Sequence, residues 1–178
     1  SLKTTPHKYH LVDNEEEMKK LCDFFLTSSL VSVDTETTST SAIDAELVGL
    51  SFAIEPHKAF YVPVPAEREK AQTIVNIFKP LYESTKILKI GQNIKYDMEV
   101  LMRYSVVMAA PMFDTMLAHY VLHPEQKHGM DYLAEAYLNY QTIHIEELIG
   151  TGKKQISMAQ VPPQDVCPYA AEDADITL

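Results

Sequence analysis

Asp34 and Glu36 stand two residues apart where an apolar run ends, in VSVDTETTST at residues 31–40. If the chain stays extended through Glu36, positions i and i+2 face the same side and the two carboxylates lie together. Like charges that close repel unless a cation sits between them. Hard oxygen ligands of this kind suit Mg2+ or Mn2+, which bind through a few carboxylates and substrate phosphate. Taken alone, the pair reads more readily as a solvated acidic turn. Two further groups change the weighting. GQNIKYD, residues 91–97, spaces Asn93 and Asp97 four apart with Tyr96 beside them, and YAAEDAD, residues 169–175, spaces Tyr169 and Asp173 in the same way. On a helix, residues four apart share a face. Either pair by itself is an ordinary surface pair, but three acidic sites at strand ends or helix starts point to one acidic centre.

The elements that must hold these residues follow from periodicity. YHLV reads as a short strand, and Asp13 or Asn14 can cap a helix over residues 15–26 with Met18, Leu21 and Phe25 inward. LVSVD, ELVGLSFAI and AFYVPV are three apolar runs close enough together for an antiparallel meander. A helix over residues 67–82, a strand KILKIG, and a helix over residues 93–104 then alternate as βαβ units do. PMFD is a short extended segment leading into a helix over residues 115–122, and Asp114 and Asp131 read as helix caps. The last third is mostly helical, with loops at HPEQKHG and GTGKKQ, and Pro168 suits the first turn of a final helix. The sum is a mixed sheet with a meander, flanked by helices.

Composition narrows the class. The 178 residues, 46% hydrophobic and 22% charged, are enough for one core and one domain. No run approaches the ~18 apolar residues of a membrane span, and the N-terminal residues lack the apolar centre of a signal peptide. Cys22 and Cys167 are too few and too far apart for a disulfide framework or zinc knuckle, which suits reduced thiols in the cytoplasm. A net charge of -10 without a basic patch argues against a free-standing nucleic-acid binder. His119 and His123 have helical i, i+4 spacing, but HYVLH lacks the glutamate of HExxH and reads as ordinary helix histidines. GTGKKQ lacks the strand and helix context of a P-loop.

The order D-x-E, N-x-x-x-D, Y-x-x-x-D resembles the three exonuclease motifs of the DEDD superfamily. DTET, GQNIKYD, FDTMLAHYVL and YAAEDADITL together resemble the 3'-5' proofreading exonuclease domains of bacterial DNA polymerase I, the family A polymerases, over residues 31–178. That resemblance implies a ribonuclease H-like α/β fold. It implies hydrolysis of single-stranded DNA 3' ends to nucleoside 5'-monophosphates with two divalent ions, Mg2+ or Mn2+ with Zn2+ a further candidate, about 4 Å apart. Asp34, Glu36, Asp97 and Asp173 become metal ligands, Asp34 bridging the two ions, and Tyr169 positions water. Thr35, Asn93, Tyr96 and Lys127 fall to substrate. The histidine subclass needs a His where this chain has Pro168, so the tyrosine subclass is implied. The partner is a polymerase domain of the same chain, and the chain, a monomer ending within a helix, reads as one exonuclease domain, residues 1–178, of a longer bacterial, nucleoid-associated protein.

Three departures stand out. Thr37, Thr38, Ser39 and Thr40 occupy the stretch where the family often has a Leu against the terminal base; Ile145 replaces an aromatic residue; and Lys127 replaces an Arg, losing the bidentate fork for phosphate. An RNase D-like RNA exonuclease and a degenerate scaffold domain are the competing readings. The charge generates a prediction. With only 15 basic residues, single-strand binding is expected to be weak and to depend more on divalent metal than on sodium chloride. Titration of a labelled oligonucleotide at several salt concentrations checks this; tight binding with a slope typical of ~6 neutralised phosphates would reveal a basic surface.

Overall fold

The computed structural model describes residues 1–178. A six-stranded mixed sheet forms its centre, in the order β1-β4-β3-β2-β5-β6. The strands are β1 (Lys8–Leu11), β2 (Leu30–Thr37), β3 (Leu47–Glu55), β4 (Lys58–Pro63), β5 (Leu88–Gly91) and β6 (Met112–Asp114). The expected meander is present, with β2–β3 and β3–β4 antiparallel, while β1–β4, β2–β5 and β5–β6 are parallel. PMFD is thus more than an extended lead-in, since its last three residues form the parallel edge strand β6.

Alternation along the strands sends successive side chains to two different layers. Val31 and Val33 of β2, with Leu50 and Phe52 of β3, enter the larger core. There they meet α1 (Glu15–Phe25), α2 (Arg68–Tyr82) and α3 (Ile94–Met102). Met18, Leu21 and Phe25 are buried on α1 as their spacing requires, and Asn14 caps the helix by accepting from the Glu17 amide at 3.0 Å. On the other face lies the long helix α7 (Pro163–Thr177). Its Ala170 packs with Val48 and Tyr61, and its Ala171 and Ala174 meet Ala53 and Ala59. Residues this small let the helix backbone approach the sheet closely. Ser32, Asp34 and Glu36 alternate with the valines and so face this layer.

Pro163, not Pro168, stands in the first turn of α7, and Pro168 lies inside the helix. Pro168 and Gln164 are both exposed, so the turn in which Pro168 removes a hydrogen bond lies on the solvent side of the helix. The remaining helices, α4 (Thr115–Leu122), α5 (Met130–Leu138) and the short α6 (Ile145–Ile149), lie between β6 and α7 in sequence. GTGKKQ carries a 3-10 turn at Gly152–Lys154 and is exposed throughout its lysines. Cys22 and Cys167 are buried free thiols, and no helix is long and apolar enough to cross a membrane.

Asp114 is a cap, as expected, and serves two helices. It accepts from the Leu117 amide of α4 at 3.0 Å and from the amides of Asn93 and Ile94, at 3.1 and 3.0 Å, at the start of α3. Asp131 is no cap: Gly129 holds that position, and Asp131 accepts from the Thr142 hydroxyl at 2.7 Å and lies 3.2 Å from His144 Nδ1, tying down the chain after α5. Because each helix cap contributes about 1 kcal/mol, Asp114→Ala is expected to lower unfolding stability by about 1–2 kcal/mol in urea titrations. A loss no larger than that of an exposed-loop Asp→Ala control would show the double cap to be without weight.

Candidate active site

The extended geometry of β2 persists through Glu36, and a bulge follows between Glu36 and Thr37. Asp34 pairs across with Ser51 and Glu36 with Gly49. Gly49 cannot be larger, because a Cβ there would lie 2.2 Å from the Tyr61 ring. Asp173 comes down from α7 onto the same face. One oxygen from each of Asp34, Glu36 and Asp173 lies within 4.8 Å of the other two.

Asp97 approaches from α3, on the opposite face of the sheet. Thr35, which alternates with Asp34 and Glu36, donates its hydroxyl to Asp97 Oδ1 at 2.6 Å. Glu36, Asp97 and Asp173 are buried and Asp34 keeps part of its surface in solvent. No Lys, Arg or His lies within ion-pairing distance of any of the four. Burial raises the Asp34 carboxyl to about 7. Burial, followed by the charge of Asp34, holds Glu36, Asp97 and Asp173 well above the usual carboxylate range. Glu36 Oε1 is buried without any hydrogen-bond partner. An orphaned carboxylate oxygen among mutually repelling carboxylates is the signature of a cation site, and the all-oxygen donor set fits hard divalent ions.

Tyr169 is half-buried one turn before Asp173. Burial first, then the charges of Asp173, Glu36 and Asp34, raise its phenol far above the usual range, so it stays protonated and can act only as a neutral hydroxyl. Asn93 is not a helical residue of α3, as its spacing suggested; it is the N-cap, with φ 60° in the left-handed region. Asn93 and Tyr96 nevertheless line a cleft of 740 Å³ beside Glu36. The Tyr96 hydroxyl is taken up by the chain itself, meeting the Thr37 hydroxyl at 2.5 Å and the Ser39 carbonyl, which fixes the turn after β2. Ile145, Ile149, Gln155 and Ile156 close the opposite wall, and no basic residue lines the cleft. Lys127 is exposed and is not among the lining residues. The role of Thr35 in holding Asp97 and the wall from residues 149–158 went unread in the sequence. Strand alternation pointed Thr35 away from the carboxylates, and the wall depends on a loop fold that carries no periodic signal.

A family model described as 3'-5' exonuclease matches residues 9–178. The chain belongs to the 3'-5' exonuclease domains of the family A DNA polymerases. Among similar members of this family, DNA polymerase I of Pseudomonas aeruginosa is 42% identical over 161 residues, covering 85% of this chain and 18% of that protein. DNA polymerase I of Borreliella burgdorferi is 32% identical, covering 96% and 19%. The exonuclease domain thus spans about a fifth of the length of these curated relatives. Solved structures share the fold at lower identity. Brucella melitensis NrnC superposes with a TM-score of 0.72 at 21% identity, covering 97% of this chain and 77% of that one. Escherichia coli RNase D superposes with a TM-score of 0.70 at 17% identity, covering 95% and 42%. The expected ribonuclease H-like fold is therefore present.

The raised carboxyls generate a pH prediction. A carboxyl whose pKa is raised by folding adds stability that is full below its unfolded value, 3.8 for Asp34, and is lost as pH rises through about 7. In EDTA, thermal stability is expected to fall between pH 5 and 8 more steeply for the unaltered chain than for Asp34→Asn. Calorimetric scans across that range decide it; equal slopes would mean that Asp34 ionises normally.

Proposed function

We propose that this domain hydrolyses single-stranded DNA 3' ends to nucleoside 5'-monophosphates with two divalent ions, as the proofreading unit of a bacterial DNA polymerase acting in the cytoplasm. The observation that carries the reading is the set of four carboxylates from β2, α3 and α7, without a basic partner, beside an open cleft. In this reading residues 1–178 are one exonuclease domain of a longer chain, and the polymerase domain delivers the 3' end. Delivery of that kind raises effective concentration without requiring basic residues here.

Asp34, Glu36 and Asp173 would hold one ion, and Asp34 and Asp97 would hold the other. When bound, Mg2+ or Mn2+ supplies an activated water at neutral pH and offsets the charge of the phosphate. The chain's own residues do the rest. Thr35 keeps Asp97 oriented toward Asp34 through its hydroxyl. Tyr169, protonated, orients the attacking water by a hydrogen bond and takes no proton from it. Asn93 and the Thr38 and Thr40 hydroxyls meet the terminal nucleotide on one side of the cleft, and Ile145, Ile149 and Ile156 bound its base on the other without stacking. Lys127 approaches the phosphate backbone further along the strand.

An RNA substrate is the second reading, favoured by the fold neighbours: one is described as an exoribonuclease, and NrnC has been solved with bound Mg2+ and with pGG. A degenerate scaffold is disfavoured because all four carboxylates and Tyr169 are intact.

Incubation with 5'-labelled DNA and RNA single strands of one sequence tests the proposal. Stepwise 3' shortening of DNA with Mg2+ or Mn2+ and none in EDTA is expected. Asp34→Ala should lower kcat by more than about a hundredfold. Tyr169→Phe should keep metal affinity and lose about 10–100-fold in rate, the range of one hydrogen bond to a charged group. Inertness with every divalent ion would support the scaffold reading, and preference for RNA the second. Equal loss of metal affinity in both variants would make Tyr169 structural.

A further inference from the structure

Away from the carboxylates, three histidines converge at the C-terminal end of α4. His119 lies on that helix, His123, four residues later, is its C-cap, and His128 comes from the connection to α5. The His119 ring is centred 5.0 Å from that of His128 and 5.2 Å from that of His123. His119 is only 6% exposed, and its Nε2 has no hydrogen-bond partner. Its Nδ1 faces His128 Nδ1 at 2.7 Å.

Two imidazole nitrogens facing each other tolerate few states. With no proton between them two lone pairs repel, and with two protons two N–H groups repel. The contact is satisfied by one shared proton or by one cation that both lone pairs bind. Burial and the neighbouring histidines His128 and His123 lower the pKa of His119, which keeps its lone pair available at neutral pH. Ring centres 5.0 Å apart with the two Nδ1 atoms at 2.7 Å set the rings head-on, so for one tetrahedral ion about 2 Å from each nitrogen both rings must turn and the nitrogens part by roughly half an ångström. The backbone on that side is already pinned, since the Gln92 amide donates to the His128 carbonyl at 2.7 Å.

We propose that His119 and His128, with His123 turning in as a third ligand, bind one transition-metal ion of the Zn2+ class, separate from the carboxylate centre. Imidazole donors select Zn2+, Ni2+ or Cu2+, whereas carboxylates select Mg2+ or Mn2+. The ion clips the end of α4 to the connection that carries Lys127.

The test uses the chain with Asp34→Ala and Asp173→Ala, which removes two of the three clustered carboxylates, so its result does not depend on exonuclease activity. Calorimetric titration with Zn2+ is expected to show one ion per chain, and Co2+ to give the visible absorption of a nitrogen-ligated ion. Adding His128→Ala should weaken binding at least tenfold. His123→Ala, at the more exposed mouth, should weaken it less and leave the unfolding temperature in EDTA unchanged. Absence of Zn2+ binding in the carboxylate-depleted chain, or binding that neither histidine substitution weakens, would overturn the proposal.

Discussion

Four carboxylates gathered without one basic residue is the condition from which the rest of this structure follows. Two ionised groups less than 5 Å apart repel by about 3 kcal/mol or more even at an effective dielectric near 20, and the three that cluster lie within 4.8 Å of one another. The fold brings them together all the same, because α7 packs through Ala170, Ala171 and Ala174 against a sheet that answers with Ala53 and Ala59. Apolar contact over the length of the helix offsets a local electrostatic cost at one position. Burial and that repulsion together hold the carboxyl groups raised, and an ion in the centre would relieve the conflict.

The same strand is used from both faces. Asp34 and Glu36 look toward α7, while Thr35 looks toward α3 and passes the position of Asp97 back to them through a hydroxyl. Asp114, at the end of β6, fixes where α3 begins. The centre is therefore assembled from β2, α3 and α7, each held by a different device: strand pairing, helix capping and small-residue packing.

Periodicity made much of this legible. The valines of β2, the inward face of α1 and the meander all follow from apolar spacing, and the acidic motifs stood out because carboxylates after an apolar strand are costly without a purpose. What escaped the sequence has a common physical origin. Asn93 sits in a left-handed cap, a backbone state that i, i+4 spacing cannot report. Pro168 lies inside α7 on its exposed side, where a lost helical hydrogen bond costs less than in the core, so that a proline expected at a helix start is tolerated later. Asp131 binds Thr142 from eleven residues away, and the convergence of His128 on His119 depends on the path of a loop.

The position of Asp173 along the chain orders events during synthesis. Strands and helices that carry Asp34, Glu36 and Asp97 leave the ribosome many residues before α7, and a domain generally folds as a unit. Until α7 docks, the sheet face bearing Asp34 and Glu36 is uncovered and lacks its third carboxylate. If these carboxylates are the catalytic set proposed above, a nascent chain holds an incomplete nuclease, and the capacity to cut would arrive with the same helix whose packing completes the fold.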